Sequence, residues 1–240
     1  MTTGEKSQLA VLIDADNVSS SNIKELLEEI ANHGIATVKR AYGDWTTQNL
    51  VGWKSQLHKH AVQPIQQFAY TSGKNSTDSA FIIDAMDLLY AGNVDGFCIV
   101  SSDSDYTRLA TRLRESGKTV LGFGEKKTPE AFTAACDKFI FIEVLKPGTN
   151  VEAVTASHDL PNLESLLRHA ITHRTRDDDS WASLASVGSF ITKNNASFDP
   201  RNYGFRRLGD LVKEQKYIEV KSVEAQDGVG HLTCRGISYQ

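Results

Sequence analysis

A chain of 240 residues with 40% hydrophobic residues and a mean hydropathy of −0.33 can bury one large or two small soluble cores. Its net charge of −4 and pI near 6.0 exclude a protein held on nucleic acid by bulk positive charge, and nowhere do about 18 apolar residues run together as a membrane span requires. The opening MTTGEKSQLAVLID lacks the apolar stretch of a secretory signal, so a cytoplasmic protein is expected.

In chain order the first part alternates between two periodicities. LAVLID, TVKRAYG, VQPIQQFAY, GFCIVSSD, TVLGFG and KFIFIEV have the short apolar runs of strands, and between them SNIKELLEEIANHG, NLVGWKSQLHKH, TDSAFIIDAMDLLYAG, YTRLATRLRESG and PEAFTAAC carry helical spacing. Such alternation predicts an α/β domain over residues 1–145, with a mostly parallel sheet covered by helices on both faces. Gly34, Gly92 and Gly117 stand where three of the helices should stop. KPGTNVEAVTASHDLP then breaks the pattern with prolines, glycine and small polar residues, which places a linker over 146–159.

Beyond it, over 160–240, LESLLRHAITH, WASLASVGSFITKNN and FRRLGDLVKEQ are predicted helices, and KYIEVKSV and GHLTCRGI are predicted strands joined through DGVG. Three helices followed by a hairpin is the order of a winged helix. Cys98, Cys136 and Cys234 form no CxxC pair, and His58/His60 and His169/His173 lack the further ligands that would complete a zinc site. The acidic excess lies in the first part: residues 1–145 hold 14 Lys+Arg against 18 Asp+Glu, and residues 158–240 hold 11 of each.

In an open parallel sheet, ligands collect beyond the carboxyl ends of the strands where the strand order reverses. Asp14 ends the first predicted strand and Asp103 the fourth, which in an order 3-2-1-4-5 are neighbours at that reversal. Asp78 begins the helix after the third strand, with Ser76 or Thr77 placed to cap it. With Asp16, Asn17 and Asp105 alongside, this rim is too acidic for phosphate alone but suits a hard divalent cation, Mg²⁺ or Mn²⁺, with Asp14, Asp78 and Asp103 as the expected ligands. The plainer alternative is that Asp103 or Ser104 simply caps the next helix and Asp78 its own. Helical spacing directs Asp84 and Asp87 away from Asp78; Asp84 is expected to act through a basic neighbour. RAYGDW follows the second strand on the same rim, so Tyr42 and Trp45 either stack unpaired bases or pack beneath a loop, and Lys39, Arg40, Arg108 and Arg112 are available to phosphates.

LIDADN, RAYGDW, KNSTDSAFIIDAMDLL and IVSSDSDY, in that order, resemble the NYN family of PIN-like ribonucleases over about residues 8–145. The resemblance implies a PIN-like (Rossmannoid) three-layer domain and metal-dependent RNA cleavage. It gives Asp14, Asp78 and Asp103 as metal ligands, Asp105 as an accessory catalytic acid, and Asn17 and Lys74 as substrate contacts, and Ser102, inside the last motif, is a further candidate substrate contact. WASLASVGSFITKNNASFDPRNYGFRRLGDLVKEQKYIEV resembles the LOTUS, or OST-HTH, domain, whose known members bind RNA or a helicase, so the partner implied for this domain is RNA or a protein. Arg206 and Arg207, with Arg201, Lys213 and Lys216, are its candidate phosphate contacts, whereas Tyr203 and Phe205 are expected in the core.

Two other functions fit the residues. IDADNV has the D-x-D-x-V form that opens haloacid dehalogenase-like phosphatases, whose first aspartate attacks phosphorus, although no cap-sized insertion follows it. A non-catalytic RNA-binding regulator would keep the same acids without turnover.

Overall fold

The computed structural model describes residues 6–68, 76–145, 161–175, 181–224 and 230–237. Contacts divide the chain into two compact units, Met1–Pro147 and Gly148–Gln240. The linker expected over 146–159 lies outside the described residues.

In the first unit the strands β1 (Gln8–Asp14), β2 (Ile35–Gly43), β3 (Gln63–Gln66), β4 (Gly96–Val100), β5 (Thr119–Gly124) and β6 (Lys138–Phe141) form one sheet of order β3-β2-β1-β4-β5-β6, with every neighbouring pair parallel. The helices are α1 (Ile23–Ala31), α2 (Trp53–His60), α3 (Ser76–Ala91), α4 (Thr107–Glu115) and α5 (Glu130–Ala135). The unit is the expected α/β, PIN-like arrangement.

Successive residues of a strand point to opposite faces, and β1 is buried from Leu9 to Asp14, so it feeds two cores at once. Leu9, Val11 and Ile13 join Leu26 and Ile30 of α1 and Trp53 and Leu57 of α2 on one face. Ala10 and Leu12 join Phe81, Ala85 and Leu89 of α3, Leu109 and Leu113 of α4, and Phe132 of α5 on the other. The spacing 81/85/89 is the helical period that places all three residues on one stripe.

Gly92 and Gly117 adopt φ of +71° and +76°, the left-handed conformation that ends a helix. Gly34 works differently. A Cβ there would lie 2.4 Å from the Ser7 carbonyl oxygen, so glycine is needed for the close approach of two backbones.

The second unit holds α6 (Leu163–Arg174), α7 (Leu184–Asn194), α8 (Leu208–Lys213) and a three-stranded antiparallel sheet of order β7-β9-β8, with β7 (Ala182–Ser183), β8 (Ile218–Glu224) and β9 (Gly230–Gly236). Leu167, Ile171, Val187, Ile191, Leu211 and Val212 build its core. Tyr203 and Phe205 pack against that core, as expected. The sequence pattern begins the second helix at Trp181, whereas the helix begins at Leu184, because Ala182 and Ser183 pair with Cys234 and Thr233 of β9. Among the described residues no helix is long and apolar enough to cross a membrane.

Candidate functional site

β1 and β4 are hydrogen-bonded neighbours at the point where the strand order reverses, and their carboxyl ends open on one rim. Asp14 is the last residue of β1 and is fully buried. Its Oδ2 accepts from the Asn17 amide at 2.9 Å and from the Ser101 hydroxyl at 2.8 Å, while its Oδ1 is enclosed without any hydrogen-bond partner. Burial pushes this carboxyl up to about 6, opposed by those two donors and assisted by the charges of Asp78 and Asp16.

Ser101 follows the buried end of β4 and serves two acids. Its oxygen donates to Asp14 and accepts the Asp103 backbone N–H at 3.1 Å. Asp103 lies beyond the strand and caps the short 3₁₀ turn Ser104–Tyr106, its Oδ1 accepting from Asp105 N at 2.9 Å. The capping alternative is therefore realised, and it leaves Asp103 at the same rim.

Asp78 occupies the first turn of α3, where the positive helix end favours a carboxylate. The buried Tyr106 hydroxyl donates to its Oδ1 at 2.8 Å. Partial burial nevertheless raises the Asp78 pKa, and after the opposing Tyr106 bond the charges of Asp103, Asp105 and Asp16 push the same way. Thr77 ties the helix start to the β1–α1 loop, donating to Asp16 Oδ2 at 3.0 Å.

Asp78, Asp103 and Asp105 each offer a carboxylate oxygen within 4.8 Å of the others. Asp14 is not part of that trio but stands beside it, joined to Asp103 through Ser101 and to Asp78 by mutual repulsion. The expected ligands Asp14, Asp78 and Asp103 are thus arranged as two outer acids and one enclosed acid, with Asp105 completing the outer group. An all-oxygen cluster beside a buried carboxylate oxygen that has no donor fits a hard divalent cation such as Mg²⁺ or Mn²⁺.

Other predicted contacts sort by exposure. Tyr42 is fully buried, its ring 4.8 Å from that of Phe81 and its hydroxyl donating to Asp84, so it cannot stack on a base. The alternation of β2 that brings its end to the rim turns this side chain under α3. Arg40 also bonds Asp84, which makes it a tie between β2 and α3 and corrects its assignment to phosphate. Lys39 donates to the His60 carbonyl at 2.6 Å.

Trp45 is half-buried against the first core, and its indole N–H donates to the Ile65 carbonyl at 3.0 Å, so only part of the ring is left for substrate. Ser102 Oγ accepts the Glu125 backbone N–H at 2.8 Å. Asn17 is exposed, Arg206 and Arg207 are exposed in the second unit, and Lys74 lies outside the described residues.

Ser101 and Tyr106 were not singled out in the sequence, although both sit inside IVSSDSDY. The available signal was their position on either side of the two acids.

The NYN domain profile matches residues 8–143, and the OST-HTH/LOTUS domain profile matches residues 159–228. No curated protein matches the chain. A crystal structure of a protein of unknown function from Vibrio parahaemolyticus is similar with TM-score 0.50 at 18% identity, covering 59% of this chain and 96% of that one. A solution structure of a protein segment from Chromobacterium violaceum is 33% identical, covering 34% of this chain and 86% of that one with TM-score 0.29.

Proposed function

Since the chain belongs to the NYN domain family and carries an OST-HTH/LOTUS domain behind it, we propose that it is a metal-dependent endoribonuclease, with the nuclease domain over 1–145 and an RNA- or partner-binding domain over 160–240. The observation that carries the metal dependence is the group Asp78, Asp103 and Asp105 next to the enclosed, donorless Oδ1 of Asp14.

A divalent ion in such a site supplies a water that is nucleophilic at neutral pH and neutralises the phosphodiester. The chain's own residues prepare the place for it. Tyr106 holds Asp78 by one oxygen, Ser101 holds Asp14 and the Asp103 backbone in fixed relation, and Asn17 takes a second hydrogen bond to Asp14. Asn17, the exposed part of Trp45, Lys74 and Ser102 are assigned to RNA near the cut, and Arg206 and Arg207 to RNA phosphates in the second unit.

Burial of Asp14, with Oδ2 already taken by two donors, does not favour the attacking carboxylate of a phosphatase. Single-turnover cleavage of labelled RNAs with Mn²⁺ or Mg²⁺ tests the reading. Asp78→Asn and Asp103→Asn are expected to lose at least about a hundredfold in rate while remaining folded, because each removes a charge that neutralises the ion. RNA that is bound but never cut by the wild type would identify a non-catalytic regulator instead.

A further inference from the structure

The register of the sheet in the second unit separates its two faces. Ala182, Cys234 and Ile218 are buried on one side, with Val220 and Leu232 packed against the core. Glu219 and Lys221 alternate with these residues on β8, as Thr233 and Arg235 do on β9, and so turn outward. Glu219 pairs across the strands with Arg235, whose Nε lies 2.7 Å from Glu219 Oε2.

Trp181, one residue before β7, meets this outward row. The Lys221 ammonium lies 4.0 Å from the centre of its ring and the Arg235 guanidinium 4.8 Å. Among the described residues Lys221 makes no ion pair, and its side chain is exposed. A strongly hydrated ammonium resting on an indole at a surface is weakly held, and a phosphate competes for it effectively. Base stacking on an aromatic ring is, per contact, stronger than an exposed cation–π contact. Exchanging Lys221 on the ring for a base on the ring and a phosphate on Lys221 is therefore favourable.

We propose that the outward face of the β7-β9-β8 sheet is a docking surface for single-stranded RNA, with Trp181 stacking one base and Lys221 taking a flanking phosphate, while Arg235 stays paired with Glu219. This rests on RNA being the ligand of the protein, and it adds a stacking surface to the phosphate contacts assigned to Arg206 and Arg207. The half-buried Thr233, paired with the exposed Lys221, extends the track along the sheet.

The test uses the full chain in EDTA with a uridine decamer, following tryptophan emission and the anisotropy of a labelled strand. Binding is expected to quench emission. Trp181→Ala should weaken binding about tenfold and abolish most of the quench, and Trp181→Phe should bind but give little quench. Lys221→Ala should lower the slope of log affinity against log salt by about 0.7. A duplex of the same length should not quench, because its bases are already stacked.

Wild-type affinity in a folded Trp181→Ala chain, or equal quenching by the duplex, overturns the proposal. If Trp181→Ala fails to fold, Lys221→Glu decides, since unchanged or tighter binding by that surface variant overturns it. Parallel cleavage with Mn²⁺ separates the two readings. Normal cutting and binding by Lys221→Glu rejects the sheet surface and leaves the nuclease, whereas quenching that is lost in Trp181→Ala, with no cutting by the wild type, rejects the nuclease and leaves the surface. Absence of any RNA binding by the wild type overturns the sheet surface and points the second unit toward a protein partner.

Discussion

Asp14 has one oxygen occupied by Asn17 and Ser101 and the other enclosed without a donor, which makes its charge expensive when no cation is near. Its carboxyl is raised from 3.8 to about 6, so between those values the folded chain holds a proton that the unfolded chain releases. The sign follows. Without metal, this group's stabilising contribution is complete below pH 4 and is lost as pH rises through about 6, on the order of 1–3 kcal/mol. A divalent ion needs the ionised form, so Mn²⁺ should raise the melting temperature little at pH 5 and by several degrees at pH 7.5. Thermal melts at both values check this, and an equal shift at both would count against Asp14 as a ligand. The acids themselves were legible in the sequence, because a carboxylate at the end of a buried strand or the start of a helix has few reasons to be there. Ser101 and Tyr106 were not, since a hydroxyl acquires its role only from the partner that the fold brings to it. Tyr42 misled for the same reason: its place at the strand end was visible, but not that it turns inward to Asp84.

Among the elements, the alternation of strand and helix carried the sheet order from sequence to structure, because β1 and β4 are continuous apolar runs and can only be central. Two details escaped it. β7 is a two-residue strand that exists through its pairing with β9 and leaves no periodicity of its own. Gly34 stands after a helix as Gly92 does, yet its role is contact with the strand entrance at Ser7. These glycines make separable predictions. Gly34→Ala puts a methyl group 2.4 Å from a backbone oxygen that cannot turn aside, and should destabilise the chain by about 2 kcal/mol through a backbone shift at the start of β1. Gly92→Ala meets nothing within 4 Å and should lose about 1 kcal/mol from its positive φ alone. Gly92→Asn should recover part of that loss, whereas Gly34→Asn should be worse than Gly34→Ala. Denaturant melts of the four variants distinguish crowding from conformational strain.

Across the whole molecule, the two units have separate apolar cores, the first divided between the faces of the parallel sheet and the second, among the described residues, built from three helices and a small antiparallel sheet. Among the described residues, the acids that fit a cation belong to the first unit. Calorimetry of the full chain is therefore expected to show two transitions, with Mn²⁺ moving only one of them. A common shift of both would show that the units melt as one. The chain's negative balance also means that the proposed RNA ligand would have to be held by local cations, so its affinity should fall with salt by a slope set by a few contacts, well short of that of a basic protein.

Because β1 lies between β2 and β4, and because Asp14, Asp78 and Asp103 come from three distant stretches, the acidic pocket exists only after nonlocal strand pairings have closed. Such closures join widely separated segments, so the pocket is expected to be completed only as the last of these pairings closes. Manganese should then slow the unfolding limb of a chevron plot by nearly the whole of its equilibrium effect while leaving the refolding limb almost unchanged. The cation would thus act as a kinetic latch, prolonging the lifetime of the assembled domain without hastening its formation.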